Sequence, residues 1–159
     1  MKAIIIGAGA VGFHVAKHMA LENKDAVVID KDADAIRRVS DNIDVETILG
    51  SGSSPVILEK AGLNDAEIIL AVTNSDEVNF MACVMADLLS PSTKKLARLR
   101  NADLDDYHKH FHDFPPCIDM IINPEIEVVK TIMQLMKVPG ATEVDELAGG
   151  LLKLVGGRL

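Results

Sequence analysis

The sequence predicts an α/β fold with a doubly wound, parallel sheet of six strands and an additional C-terminal helix. Short apolar runs alternate along the chain with segments of helical periodicity, which is the pattern of strands joined by crossover helices. Hydrophobic residues make up 48% of the 159 residues, but aromatic residues only 3%. The core must therefore be aliphatic, which suits a parallel sheet covered by helices on both faces.

The start of the chain predicts a nucleotide site. Ala3 to Ile6 is an isoleucine-rich apolar run, and residues 11–21 have the pattern of a helix, with Val11, Val15 and Met19 expected to face the sheet. The loop between them reads G-x-G-x-x-G, and its residues are Gly7, Ala8, Gly9, Ala10, Val11 and Gly12. Strand, glycine loop and helix in this order are the fingerprint of a Rossmann-like, dinucleotide-binding fold.

Each glycine of this loop has a predicted role. Gly7 allows the tight turn out of the strand, Gly9 lets a pyrophosphate approach the backbone, and Gly12 lets the helix pack closely on the strand. The N-terminus of the helix then offers free N–H groups to the phosphates. The alternative is a glycine-rich turn that binds no ligand.

A carboxylate follows at the expected distance. The run from Ala26 to Ile29 predicts a second strand ending in Asp30, which lies 18 residues after Gly12. That is near the spacing at which an acid accepts hydrogen bonds from the ribose hydroxyls. Asp30 should therefore favour NAD(H) over NADP(H), although the neighbouring Lys31 would soften this preference.

Small and polar residues follow the next two strands. The third strand, Val45 to Leu49, is followed by Gly50, Ser51 and Gly52, which are expected to form a wall of the cleft, or alternatively an ordinary turn. The fourth strand, Glu67 to Val72, is followed by Thr73 and Asn74. These two residues either hydrogen-bond the ribose or nicotinamide, or serve only to cap the next helix, for which Ser75 or Asp76 is the predicted N-cap.

The fifth and sixth strands are predicted at Lys94 to Arg100 and Cys117 to Ile122. Arg98 and Arg100 are two apart and share a face, where they would meet a cofactor phosphate or a partner's carboxylate, or else lie solvated at an edge. Two groups of histidines have spacings found in metal sites, but solvated side chains are the favoured interpretation. They are His14 with His18, and His108 with His110 and His112.

The last predicted helix runs from Pro124 to about Met136, with Asn123 as its N-cap. Its apolar residues spread over more than one stripe, so that it must be buried on several sides, and this predicts a homodimer or higher homo-oligomer. We expect residues 1–137 to form the nucleotide-binding domain. Residues 138–159 would be a linker or tail, or the start of a second lobe.

Composition excludes several classes of partner. The formal net charge is −8, and such a surface repels nucleic acid and anionic lipid. The two cysteines, Cys83 and Cys117, form no C-x-x-C motif, which favours a reducing cytoplasm. Because a strand begins directly after Met1 and no apolar run approaches about 20 residues, we expect neither a signal peptide nor membrane insertion.

Together these motifs resemble the TrkA N-terminal domain family, also called the RCK (regulator of potassium conductance) domain. The resemblance extends from Met1 to about Thr142. It is carried by IIIGAGAVG, VIDKD, LGSGSSP, AVTNSDEVNFMA, LARLR, INPE and VPGA.

The resemblance implies a cytosolic regulatory subunit of a membrane potassium transporter or channel, located at the inner face of the plasma membrane through that partner. It implies a Rossmann domain that binds NAD, NADH or an adenine nucleotide such as ADP or ATP. The helix after INPE matches one that family members exchange or pack across a dimer. The positions that match the family's cofactor contacts are Gly7 to Val11, Asp30, Ser51, Thr73, Asn74 and Arg98.

The predicted function is therefore nucleotide sensing without chemistry. An NAD-dependent dehydrogenase needs a substrate domain that places a general acid or base against the nicotinamide, and this sequence has no residues left over for one. A scaffold that has lost its ligand is the other alternative, although the intact glycines and Asp30 oppose it.

Overall fold

The computed structural model describes residues 1–101, 118–137, 143–147 and 152–156, in two compact units, Met1–Ile122 and Asn123–Leu159. The first unit contains β1 (Lys2–Ile6), α1 (Ala10–Leu21), β2 (Asp25–Asp30), α2 (Ala33–Asn42), β3 (Glu46–Leu49), α3 (Pro55–Lys60), a 3₁₀ turn (Leu63–Asp65), β4 (Ile68–Ala71), α4 (Asp76–Leu89), β5 (Lys94–Arg98) and β6 (Met120–Ile122). The second contains α5 (Pro124–Lys137), β7 (Glu143–Leu147) and β8 (Leu152–Gly156). The predicted division after residue 137 stays a prediction.

The sheet of the first unit confirms the predicted fold class. Six strands lie in the order β3-β2-β1-β4-β5-β6, and all five pairings are parallel. The chain builds outward from β1 to β3, then returns to place β4 on the other side of β1. The order of winding therefore reverses between β1 and β4, which is where open α/β sheets form their ligand crevice.

The core lies on both faces of this sheet. Alternate residues of β1 belong to two separate apolar clusters: Ile4 and Ile6 pack in one, Ala3 and Ile5 in the other. All four are buried. This explains why β1 is a continuous apolar run and not an alternating one, because a strand covered on both sides has no solvent-facing positions.

The buried face of α1 agrees with the prediction at Met19, which is buried, and at Val15, which is partly buried against the core, but not at Val11. The helix buries Gly12, Ala16 and Met19, while Val11 is 44% exposed. The reason is the short distance between the helix and the sheet: a methyl group added at Gly12 would overlap the carbonyl oxygen of Gly7. In its first turn, where the helix packs this closely, Gly12 and not Val11 faces the strands.

A buried lysine ties β5 to α4. The side chain of Lys95 is 2% exposed, and its Nζ lies 2.9 Å from the Oδ1 of Asp87 in α4. The same Nζ donates to the carbonyl oxygen of Pro91 at 3.0 Å. The charge is thus paired and hydrogen-bonded, as burial of an ammonium group requires.

The second unit begins as predicted, because the N–H of Ile126 donates to the Oδ1 of Asn123 at 3.3 Å and Pro124 occupies the first helical position. Five apolar side chains of α5 are between 49% and 72% exposed: Val128, Val129, Ile132, Met133 and Met136. β7 and β8 pair antiparallel. Residues 102–117, which include Cys117 at the start of the predicted sixth strand, lie outside the described residues.

Candidate functional site

A cleft of about 710 Å³ opens at the carboxyl ends of the central strands, where the order of winding reverses. It is bounded by the ends of β1 and β2 and by the loops that follow β3 and β4. Seven of the residues predicted for the site line it: Gly7, Gly9, Asp30, Lys31, Ser51, Thr73 and Asn74. Ala8, Ala10, Val11, Gly12 and Arg98 are not among its lining residues.

The glycine-rich loop combines one strained position with one open position. Gly7 has φ of +107°, a backbone conformation that L side chains rarely adopt, and it makes the tight turn that the sequence predicts. Gly9 has φ of −68°, which any residue tolerates. A Cβ at Gly9 would have no atom within 4 Å. The fold thus requires glycine at Gly7, whereas the bare backbone at Gly9 leaves space in the cleft.

Asp30 joins the end of β2 to the glycine-rich loop. Its Oδ2 accepts the N–H of Ala8 at 2.6 Å, and its Oδ1 accepts the N–H of Asp32 at 2.9 Å. A carboxylate has about four lone-pair positions, so both oxygens retain capacity for another donor. The side chain therefore holds the loop and lines the cleft at the same time.

Arg38 is a cleft residue that the sequence reasoning missed. Its Nη2 donates to the carbonyl oxygen of Ala8 at 2.7 Å, and its guanidinium carbon lies 5.5 Å from the ring centroid of Phe13. Asp34, Ala35 and Arg38 line the cleft from α2. Since these positions are three and four apart on a helix that starts beside Asp30, helical spacing was the signal that would have found Arg38.

The loop after β3 forms the opposite wall, as predicted. Gly50, Ser51 and Gly52 all line the cleft. The N–H of Gly50 donates to the carbonyl oxygen of Asp30 at 2.8 Å, and the hydroxyl groups of Ser51 and Ser53 are 2.9 Å apart. A methyl group at Gly52 would overlap the side chain of Ile6, so this wall packs directly on the end of β1.

Thr73 is held by a buried asparagine that no sequence pattern singled out. The N–H and hydroxyl of Thr73 approach the Oδ1 of Asn79 at 2.9 and 2.7 Å. The Nδ2 of Asn79 donates to the carbonyl oxygens of Thr73 and Arg98 at 3.1 and 2.8 Å. Asn79 thus joins the ends of β4 and β5, and the Thr73 hydroxyl proton is directed at protein and not at the cleft.

The two arginines at the end of β5, Arg98 in the strand and Arg100 just after it, have different surroundings. Arg98 is half-buried, and its Nε has no hydrogen-bond partner within the part of the chain that is described. Arg100 is exposed, donates to the carbonyl oxygen of Asn74 at 2.6 Å, and has its Nε 3.6 Å from the Oδ1 of Asp76. The acid beside Arg100 is thus a carboxylate of its own chain. The predicted contact of Arg98 with a cofactor stays a prediction.

The N-terminus of α4, directly after the loop that follows β4, is capped by a side chain. The Oγ of Ser75 accepts the N–H of Val78 at 3.2 Å, which confirms Ser75 as the N-cap. The same hydroxyl donates to Glu77 at 2.7 Å, and this hydrogen bond lowers the pKa of the Glu77 carboxyl.

On the buried face of α4, burial raises the pKa of the Cys83 thiol to about 12, so this thiol stays protonated.

The histidines of α1 belong to no larger group of metal-ligating side chains in the described part of the chain. His14 and His18 lie exposed on this helix, and the described residues contain no group of three or more metal-ligating side chains. His108, His110 and His112 lie outside those residues. Among the described helices, none has the length and apolar character needed to span a bilayer.

A sequence profile of the TrkA-N domain matches residues 3–124. The Trk system potassium uptake protein TrkA of Halomonas elongata is 44% identical to this chain over 156 residues, which cover 98% of this chain and 34% of that protein. This chain thus spans about a third of the length of that relative. The relative is named as a potassium uptake protein, in agreement with the potassium transport system that the resemblance implies.

Solved structures show the same fold. The TrkA-N domain of the inner membrane protein ybaL from Escherichia coli superposes with a TM-score of 0.71 and 20% identity, over 85% of this chain and 96% of that one. The GsuK channel bound to NAD gives a TM-score of 0.71 and 13% identity, over 92% of this chain and 25% of the channel chain. The parallel sheet, the glycine-rich loop and the profile match agree: the chain belongs to the TrkA-N domain family.

Proposed function

We propose that this chain is an NAD(H)-binding regulatory domain of a potassium transport system and catalyses no reaction itself. The observation that carries the proposal is the cleft at the reversal of the sheet, where the open backbone at Gly9 lies beside the carboxylate of Asp30. An open loop suits a pyrophosphate, and a carboxylate suits ribose hydroxyls.

The adenosine diphosphate half of the cofactor would lie against the glycine-rich loop and Asp30. The phosphates lie over Gly9 and accept hydrogen bonds from the N–H groups of Ala10 and Val11. These two groups are in the first turn of α1, where a backbone N–H has no acceptor within the helix. The ribose hydroxyls donate to Asp30, with Lys31 beside it. Because these groups address only the adenosine diphosphate half, ADP and ATP are competing ligands of the same site.

The remaining half of a dinucleotide would extend along the loop after β4. Ser51 lines the cleft from the loop after β3, while Thr73 and Asn74 line it from the loop after β4. Thr73 would accept a hydrogen bond and not donate one, because its proton is directed at Asn79. Arg98 would approach the phosphates from the end of β5. The GsuK channel, which has the same fold and has been solved bound to NAD, supports this choice of cofactor.

The partners follow from the exposed face of α5 and from the family. The five exposed apolar side chains of α5 would be covered by a second copy of the chain in a homodimer or a higher homo-oligomer. The assembly would act from the cytoplasm on a membrane potassium transporter, because the matching relative is a potassium uptake protein. Nucleotide binding would favour one arrangement of the assembly over another and so regulate uptake.

Calorimetric titration of the chain with NADH and ADP tests the proposal, with Gly9→Ala and Gly9→Val as a graded pair. The backbone at Gly9 accepts both side chains, so we expect each variant to stay within about 1 kcal/mol of the wild-type stability. Each added carbon would occupy space that the nucleotide needs. The affinities for NADH and ADP should therefore fall in Gly9→Ala and be lost in Gly9→Val.

Two outcomes contradict the proposal. If the wild-type chain binds neither NADH nor ADP, it is not a nucleotide sensor. If Gly9→Val is folded by circular dichroism and binds NADH as the wild type does, the ligand lies elsewhere on the chain.

A further inference from the structure

Arg38 makes a contact on the glycine-rich loop that complements the one made by Asp30. The peptide groups of Ala8 are engaged on both sides: the N–H donates to the Asp30 carboxylate at 2.6 Å, and the carbonyl oxygen accepts from the Arg38 guanidinium at 2.7 Å. Ala8 itself is fully buried. The negatively charged Asp30 thus binds the backbone N–H of Ala8, and the positively charged Arg38 binds its backbone carbonyl oxygen.

These two contacts come from elements far away in sequence. Asp30 is 22 residues and Arg38 is 30 residues from Ala8, so the loop is fixed by tertiary structure and not by its own turn. Hydrogen bonds with a charged partner are about twice as strong as neutral ones. A buried carbonyl oxygen that lost its donor would carry a desolvation cost.

The guanidinium group is itself held in place. It lies over the ring of Phe13 in α1, a cation–π arrangement that favours one orientation of the planar group. Arg38 therefore joins three parts of the site: α2, which carries it; the loop, through Ala8; and α1, through Phe13. The first turn of α1 is the part proposed to receive the phosphates.

We infer that Arg38 is a positioning residue for nucleotide phosphate: by holding the Ala8 carbonyl against α1 while Asp30 holds the Ala8 N–H, it fixes the glycine-rich loop in its ligand-ready conformation. This inference rests on the proposed function for its effect on affinity. The effect of Arg38 on the loop itself does not depend on a ligand.

The test compares Arg38→Met, which keeps an unbranched apolar stem, with Arg38→Lys, which keeps a charged donor. Arg37→Met is the matched control, because Arg37 is the neighbouring residue of α2, makes an exposed ion pair with Asp34 at 3.3 Å and does not line the cleft. Two quantities are measured on each full chain: the hydrogen-exchange rates of backbone amides without ligand, and the affinities for ADP and for adenosine.

In Arg38→Met we expect the Ala8 amide to exchange about tenfold faster while amides of β1 and β2 keep their wild-type rates. ADP should bind about tenfold more weakly, because its phosphates need the loop in place, while adenosine binding changes little. Arg38→Lys should recover part of both effects, and Arg37→Met should match the wild type.

Three results would overturn the inference. Unchanged exchange at Ala8 would show that Arg38 does not hold the loop. Faster exchange across the whole sheet would make Arg38 a general contributor to stability. Equal losses for ADP and adenosine would make it a direct contact of the nucleoside. If the wild-type chain binds no nucleotide, the proposed function fails, and the exchange rates still decide whether Arg38 positions the loop.

Discussion

Asp30 shows how one side chain serves both the loop and the ligand. Two backbone N–H groups, from Ala8 and Asp32, already donate to its oxygens. A ribose would add hydroxyl donors to the same carboxylate, and these are the interactions that a 2′-phosphate cannot make. The carboxylate and a 2′-phosphate would also repel each other.

We therefore predict that the chain binds NADH more tightly than NADPH, and that Asp30→Ala weakens NADH binding by roughly 1–3 kcal/mol. Loss of the Ala8 contact adds to loss of the ribose contact in this variant. Calorimetric titration with both cofactors measures the effect. Asp41→Ala serves as the control, since Asp41 is an exposed acid on α2 that does not line the cleft. Equal affinities of the wild type for NADH and NADPH would contradict the assigned role of Asp30.

The residues that sequence reasoning missed share one property, which is that their importance arises from distant partners. Arg38 reaches Ala8, Asn79 reaches Arg98, and Lys95 pairs with Asp87. In the sequence, Asn79 and Lys95 are polar residues of a helix and a strand that nothing local distinguishes from solvated ones, and only its helical spacing from Asp34 and Ala35 would have found Arg38. Asp30 could be predicted because its distance from the glycine loop is set by the length of one β-α-β unit.

At the scale of elements, strands were easier to predict than the faces of helices. Continuous aliphatic runs identify β1 and β2, since a strand buried on both sides admits little else. For α1, the predicted stripe was right at Val15 and Met19 but wrong at Val11, because the closeness of helix and sheet left the buried position of the first turn to Gly12. Hydrophobic periodicity detects that a helix is amphipathic, but packing distance decides which residues it buries.

The helix α5 carries a prediction about assembly. Ile132 is 49% exposed and lies among the other exposed apolar side chains of the helix, so Ile132→Glu should convert a dimer into monomers while the helix content is retained, since glutamate is a good helix former. Sedimentation equilibrium at micromolar concentration measures this. The control is Val56→Glu, which changes an apolar residue of α3 that is 68% exposed.

Two results would count against an interface on α5. The wild-type chain would sediment as a single species near 17.1 kDa, or both variants would dissociate the dimer equally. The second result would show that added charge, and not the position on α5, disrupts the assembly.

At the scale of the whole molecule, the sheet consists of two halves that meet at the cleft. β1, β2 and β3 form one half, and β4, β5 and β6 the other. The glycine-rich loop and Asp30 belong to the first half, whereas Thr73 and Asn74 belong to the second. The cleft is therefore complete only when both halves have paired along β1 and β4.

The pairing of β1 with β4 has a consequence for the order of folding. Ala3 pairs with Ala26 in β2 but also with Ile68 in β4, and the second pairing closes a much longer loop, whose entropic cost must be met before its contacts form. We expect the β1–β4 seam to form late, so that a nucleotide finds its site only in the nearly native chain. Saturating NADH should then slow unfolding and leave the refolding rate unchanged in stopped-flow experiments. If NADH instead accelerates refolding, the site forms early, and the first half of the sheet must bind nucleotide before the second half has joined it.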